Sequence, residues 1–176
     1  MKTEELLNNL LKSTENHISR VRTFLQQEDE INQRKSGEQW SALECFDHLN
    51  LYFDFYLPHL TKQIEKSGSQ PKDDFRPGII GNYFAESMLV KPAMKKMKTP
   101  KDKNPAGKNL DRQTVSVLIK NLEKLALLTE QARNVNLEKT KIPVSISKLI
   151  RLKLGDALRF IVNHNERHLQ QAERAV

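Results

Sequence analysis

The chain has 176 residues, enough for one domain with a proper core, and its 38% hydrophobic and 29% charged content suits a small helical protein with solvated outer faces. Six glycines and few β-branched runs argue against a sheet-rich fold, and a single cysteine, Cys45, excludes an internal disulfide or a cysteine-built zinc cluster. The net charge of +7 is local: residues 91–108 hold seven lysines and one aspartate, leaving +1 for the rest, unlike the basic folded face of a DNA-binding domain.

Met1-Lys2-Thr3-Glu4-Glu5 places acids where a signal peptide carries an apolar core. No apolar run approaches the roughly 18 residues of a membrane span. With the lone cysteine, these features predict a cytoplasmic protein with no membrane partner.

Leu6, Leu7, Leu10, Leu11, Ile18, Val21 and Leu25 recur at helical spacing and predict a first helix over residues 3 to about 28. His17 lies on its flank and reads as a satisfied flank residue rather than a ligand. Trp40 precedes Ser41-Ala42-Leu43-Glu44, a capping box in which serine and glutamate each satisfy an orphan backbone donor. A second helix starts there and runs to about Lys66. Leu43, Phe46, Leu49, Phe53, Tyr56, Leu57 and Leu60 form its main stripe; His48, Tyr52, Phe55 and His59 form a second seam. A helix apolar this far round is buried against several neighbours. Pro58 should kink it, lacking an amide donor. His48 and His59 stand about 16 Å apart along the axis, so they cannot share one ion.

Residues 67 to 77 read as a loop. Ile79 to Val90 is either a short helix carrying Ile80, Tyr83, Phe84 and Met88 against the core, or irregular structure. Residues 91 to 109, with three prolines and the lysines, read as a long loop without aromatic groups to stack on bases. Asp111 caps a third helix to about Asn134, residues 135 to 152 form a connection, and a last helix runs to about Arg174.

On that last helix His164 and His168 are four apart and project from one side, in or beside the stripe of Leu154, Ala157, Leu158, Ile161, Asn165, Leu169 and Ala172. Two such imidazoles can grip one metal ion, or can simply be partly buried and hydrogen-bonded. Four amphipathic helices predict an all-α four-helix bundle over residues 1–176, with a long crossover between helices 2 and 3. One histidine from the second helix and two from the fourth would supply three neutral ligands with an open position.

Trp40-Ser41-x-x-Glu44-x-x-x-His48-Leu49, followed downstream by Leu154-Gly155-Asp156 and His164-x-x-x-His168-x-x-Gln171, resembles the DinB-like superfamily of bacterial metal-binding four-helix bundles. The resemblance covers essentially the whole chain. It implies a metal triad of His48, His164 and His168 holding zinc or nickel. It also implies kinship with thiol-dependent enzymes, including bacillithiol and mycothiol S-transferases and a maleylpyruvate isomerase, and often a homodimer. Many relatives carry a second histidine where this chain has Arg167, which should point away from the metal. A dication on three neutral ligands would activate a thiol or water, so the implied reaction joins a small-molecule thiol to an electrophile, or hydrolyses one. The alternative is a non-catalytic metal-binding module linked to stress. No residue stands out as a dedicated acid or base: Glu166 should point away from both histidines, and Glu44, Asp47 and Asn165 are near enough in sequence to support the ligands. Cys45 lies on the apolar side of its helix and is not expected to act as a nucleophile.

Overall fold

Helices form where apolar residues recur every three or four positions. The structure, a computed structural model, describes residues 1–27, 29–37, 39–91 and 98–176. Helix α1 spans Thr3–Thr23 and buries Leu6, Leu7, Leu10, Ile18 and Val21. It tightens into a 3-10 turn over Phe24–Gln26, so the α-helix is shorter than its apolar pattern suggests. No side chain caps its start. Instead the Thr3 amide donates to the Asp73 carbonyl and the Phe75 amide to the Met1 carbonyl, tying the first residues to a distant loop.

Helix α2, Ala42–Glu65, begins at the expected capping box. The Glu44 amide donates to Ser41 Oγ at 3.2 Å, and the Ser41 amide donates to Glu44 Oε2 at 3.0 Å. The helix runs through Pro58. Helix α3, Ile79–Ser87, resolves the ambiguous segment as helical, with half of the expected residues inward: Met88 at its C-terminal end is buried and Phe84 packs partly buried against the core. Gly81 and Ala85 are buried, whereas Ile80 and Tyr83 are exposed. Close approach explains this: a Cβ on Gly81 would collide with the side chain of Asp156.

Helix α4 spans Gln113–Gln131, and Asp111 Oδ1 accepts the Gln113 amide hydrogen at its start. The segment read as a plain connection then folds into an antiparallel hairpin. Strand β1 is Lys141–Val144 and strand β2 is Ser147–Lys153, so the all-α expectation becomes mainly helical with a small two-stranded sheet. Ile142 pairs with Leu152 and Pro143 with Arg151, and the register shifts after Pro143. Helix α5, Leu154–Glu173, follows β2 directly.

The long helices share one core. Helix α1 packs on α4 and α5, α2 packs on the same two, and α3 and the hairpin lie against α5. The Leu154-Gly155-Asp156 stretch fixes where α5 begins. Gly155 leaves room for the Phe75 ring, since a Cβ there would sit 2.7 Å from it. Asp156 is fully buried and accepts the Gly78 amide hydrogen at 2.8 Å, holding the start of α3. No helix among the described residues is long and apolar enough to cross a membrane.

Candidate metal centre

Helices α2 and α5 are neighbours, and their facing sides bring His48, His164 and His168 together. His48 is 3% exposed and His164 5%; His168 is half-buried. One ring nitrogen from each lies within 4.8 Å of the others. The Nε2 atoms of His48 and His164 are 3.3 Å apart. Two nitrogens bound tetrahedrally at about 2.0–2.1 Å from zinc would lie about 3.3–3.4 Å apart, so this spacing fits a shared ion.

The other ring nitrogens decide which lone pairs point inward. His48 Nδ1 lies 2.7 Å from the Lys103 carbonyl, which can only accept, so Nδ1 carries the hydrogen and Nε2 is free. His168 Nδ1 lies 3.0 Å from Gln171 Oε1, which sets the same arrangement. Such outer partners orient ligating imidazoles. Burial pushes the His48 pKa down to about 4. It holds His164 and His168 well below the ordinary value too; positive charge on His168, His48 and Arg167 further disfavours protonated His164, while for His168 the charges of His48 and Arg167 act the same way and the Gln171 bond opposes them. All three are therefore neutral near pH 7, the state a metal requires.

Aromatic rings enclose the triad. The Trp40 ring centre is 4.9 Å from that of His48 and 6.0 Å from that of His168. Tyr52 lies 4.9 Å from His48 and 4.5 Å from His164, and Phe160 stacks on His164 at 5.7 Å. Burial pushes the Tyr52 phenol up to about 12.

The remaining candidates lie elsewhere. His59 Nδ1 donates to the Phe55 carbonyl at 2.7 Å and stays on its own seam. His17 is buried, with Nε2 2.8 Å from Glu166. Glu166 also accepts from Arg20 at 2.7 Å, so it faces α1 rather than the triad. Glu44 is engaged with Ser41 and Arg34, and Asp47 accepts from Lys108 at 2.7 Å. Asn165 is buried, and its Nδ2 has no partner among the described residues. It lines a cavity of about 10 Å³ beside Tyr52 and His164, room for about one water molecule. Cys45 is fully buried in the core.

Sequence reasoning missed Lys103. The only signal for it was that a lysine-rich crossover must pass over α2, and nothing in its composition points to a backbone carbonyl. Residues 92–97 of that segment lie outside the described residues.

A mainly helical fold with three converging, neutral imidazoles defines a protein that could hold a divalent metal ion. The chain belongs to the DinB superfamily, whose family pattern it matches over residues 2–172. No curated protein and no solved structure matches it.

Proposed function

We propose that this is a metal-dependent enzyme of the DinB superfamily, holding zinc or nickel at His48, His164 and His168 and joining a small-molecule thiol to an electrophile, or hydrolysing one. The convergence of three inward nitrogens from two helices carries this reading. A dication there supplies Lewis acidity that stabilises thiolate or hydroxide near neutral pH. The chain's own residues do the rest. Lys103 and Gln171 aim two of the ligands, while Trp40, Tyr52 and Phe160 pack against the imidazole rings.

The same reading takes α1, α2, α4 and α5 as a four-helix bundle forming one domain, with the 66–112 connection as its crossover. Their mutual packing supports it. A cytoplasmic homodimer is the assembly and setting we infer from the family.

The second reading is a metal-binding module without catalysis. One observation favours it: the carboxylates nearest the triad in sequence, Asp47 and Glu166, are each held by a basic partner away from the ions' ligands. Metal analysis of tag-free protein, followed by a screen of low-molecular-weight thiols with small electrophiles, tests both. About one zinc or nickel per chain, lost in His164→Ala, with thiol-dependent turnover supports the enzyme. Metal without turnover by any thiol or by water supports the module. Equal metal content in wild type and His164→Ala would refute both.

A further inference from the structure

His48 takes its orientation from a residue 55 positions away, in the lysine-rich crossover. The Lys103 carbonyl accepts the His48 Nδ1 hydrogen at 2.7 Å. The side chain of the same residue is anchored on α2 as well, and its amide donates to the Pro100 carbonyl at 3.0 Å within the turn. The Lys103 ammonium donates to the Leu51 carbonyl on α2 at 2.9 Å and sits 5.9 Å from the centre of the Tyr52 ring. The side chain is only 12% exposed. An ammonium is strongly hydrated, and burying it costs free energy unless it is bonded. Here the helix carbonyl and the ring face compensate it, with Asp102 at 3.5 Å. Lys103 thus reaches the triad twice, through its carbonyl on His48 and its ammonium beside Tyr52, whose ring touches His48 and His164. Lys108 adds a second tie, to Asp47, one residue before His48.

We propose that Lys103 is a positioning residue of the three-histidine centre. Its ammonium ties the 3-10 turn Lys101–Lys103 to α2, and its carbonyl then locks His48 in the tautomer and ring angle that present Nε2. The crossover lysines therefore divide by task. Lys103 is a structural clamp, whereas Lys101 in the same turn is exposed. The effect on metal affinity rests on the metal reading above; the tautomer lock does not, because it exists without an ion.

The experiment separates the two. In metal-free protein, nitrogen-15 NMR of the imidazoles should show His48 with its hydrogen on Nδ1. Lys103→Ala should give a mixture of tautomers, and Lys101→Ala, which removes the same charge, should leave wild-type signals. Lys103→Met keeps the aliphatic stem against Tyr52 and should also release the lock, so it decides the matter if the alanine variant does not fold. Lys103→Arg should restore the lock at least in part. In the metal arm, zinc affinity measured against a chelator should fall about 10- to 100-fold in Lys103→Ala, the usual loss when an outer partner of a ligand is removed. Cobalt in the site should show shifted absorption bands. A His48 tautomer unchanged in both Lys103→Ala and Lys103→Met would overturn the proposal. A wild-type protein that takes up no zinc or cobalt would refute the metal reading, while the NMR arm would still decide the lock.

Discussion

Cys45 and His48 sit three residues apart on α2 and are both buried, and burial acts on them in opposite senses of use. Leaving water disfavours the charged form of each. It pushes the Cys45 thiol up to about 12, so the thiolate, the reactive form, is scarce. It pushes the His48 imidazole down to about 4, which keeps the neutral, ligating form. One low-dielectric helix face therefore keeps a thiol protonated and an imidazole neutral. Cys45 should resist a thiol reagent at neutral pH in folded protein and react once the chain is unfolded; fast labelling of native protein would contradict this. Cys45→Ala should keep the metal content and any activity. Among the histidines, His48→Ala and His168→Ala should lose metal as His164→Ala does. His17→Ala and His59→Ala should not, because His17 is committed to Glu166 and His59 to the Phe55 carbonyl. Metal per chain across these variants checks the assignment.

At the scale of elements, the start of α2 is the part most fully written in the sequence. Ser41 and Glu44 form the reciprocal pair that their spacing predicts, and Arg34 adds an ion pair to Glu44. Ser41→Ala should cost about 1 kcal/mol in a denaturant titration. Burial alone would raise the Glu44 pKa, but bonds from Arg34 and Ser41 outweigh it, and the carboxyl ends below its ordinary value. The folded pKa is thus lower than the unfolded one, so this stabilisation is full above the ordinary glutamate range of about 4.3 and is lost as pH falls through the folded value. Glu44→Gln should flatten that acidic part of the stability curve, measured by melting temperature against pH. The four long helices were equally legible, since their stripes repeat over several turns. The hairpin was not. Its period-two pattern, with Ile142 and Val144 inward and Leu152 opposite, is short, holds Pro143, and shows Ile146 and Leu149 to solvent. The face of α3 was half legible: Phe84 and Met88 pack inward as expected, but Ile80 and Tyr83 are exposed because the close approach of Gly81 to Asp156 chooses the buried side. The same logic governs Gly155. Gly155→Ala should destabilise by about 1–3 kcal/mol, because the new methyl must displace the Phe75 ring. Unchanged stability would show that the ring moves freely.

For the whole molecule, the long connection and the triad meet at α2. Composition alone suggested a charged loop, and charge alone would attract any polyanion. Two of its lysines are instead spent on α2, Lys103 within hydrogen-bond reach of Leu51 and Lys108 on Asp47. DNA affinity should therefore be weak and should collapse as salt rises. Tight binding that survives physiological salt would contradict this. The larger consequence concerns stability. His48 is separated from His164 by 116 positions, so an ion shared between them closes a long loop and joins α2 to α5. Such an ion would bind the folded chain and find no assembled site in the unfolded one. Mass action then raises stability by about 2.7 kcal/mol when free metal stands at 100 times the dissociation constant. Thermal melting of metal-free protein against added zinc should give a midpoint that climbs with zinc concentration. In His164→Ala the climb should vanish, even if the variant starts from a similar midpoint. A chelator should return the wild type to its metal-free midpoint. If zinc leaves the wild-type midpoint unmoved at concentrations that also saturate a competing chelator, the three imidazoles are a packed histidine cluster, and the proposed chemistry at this site falls with the ion.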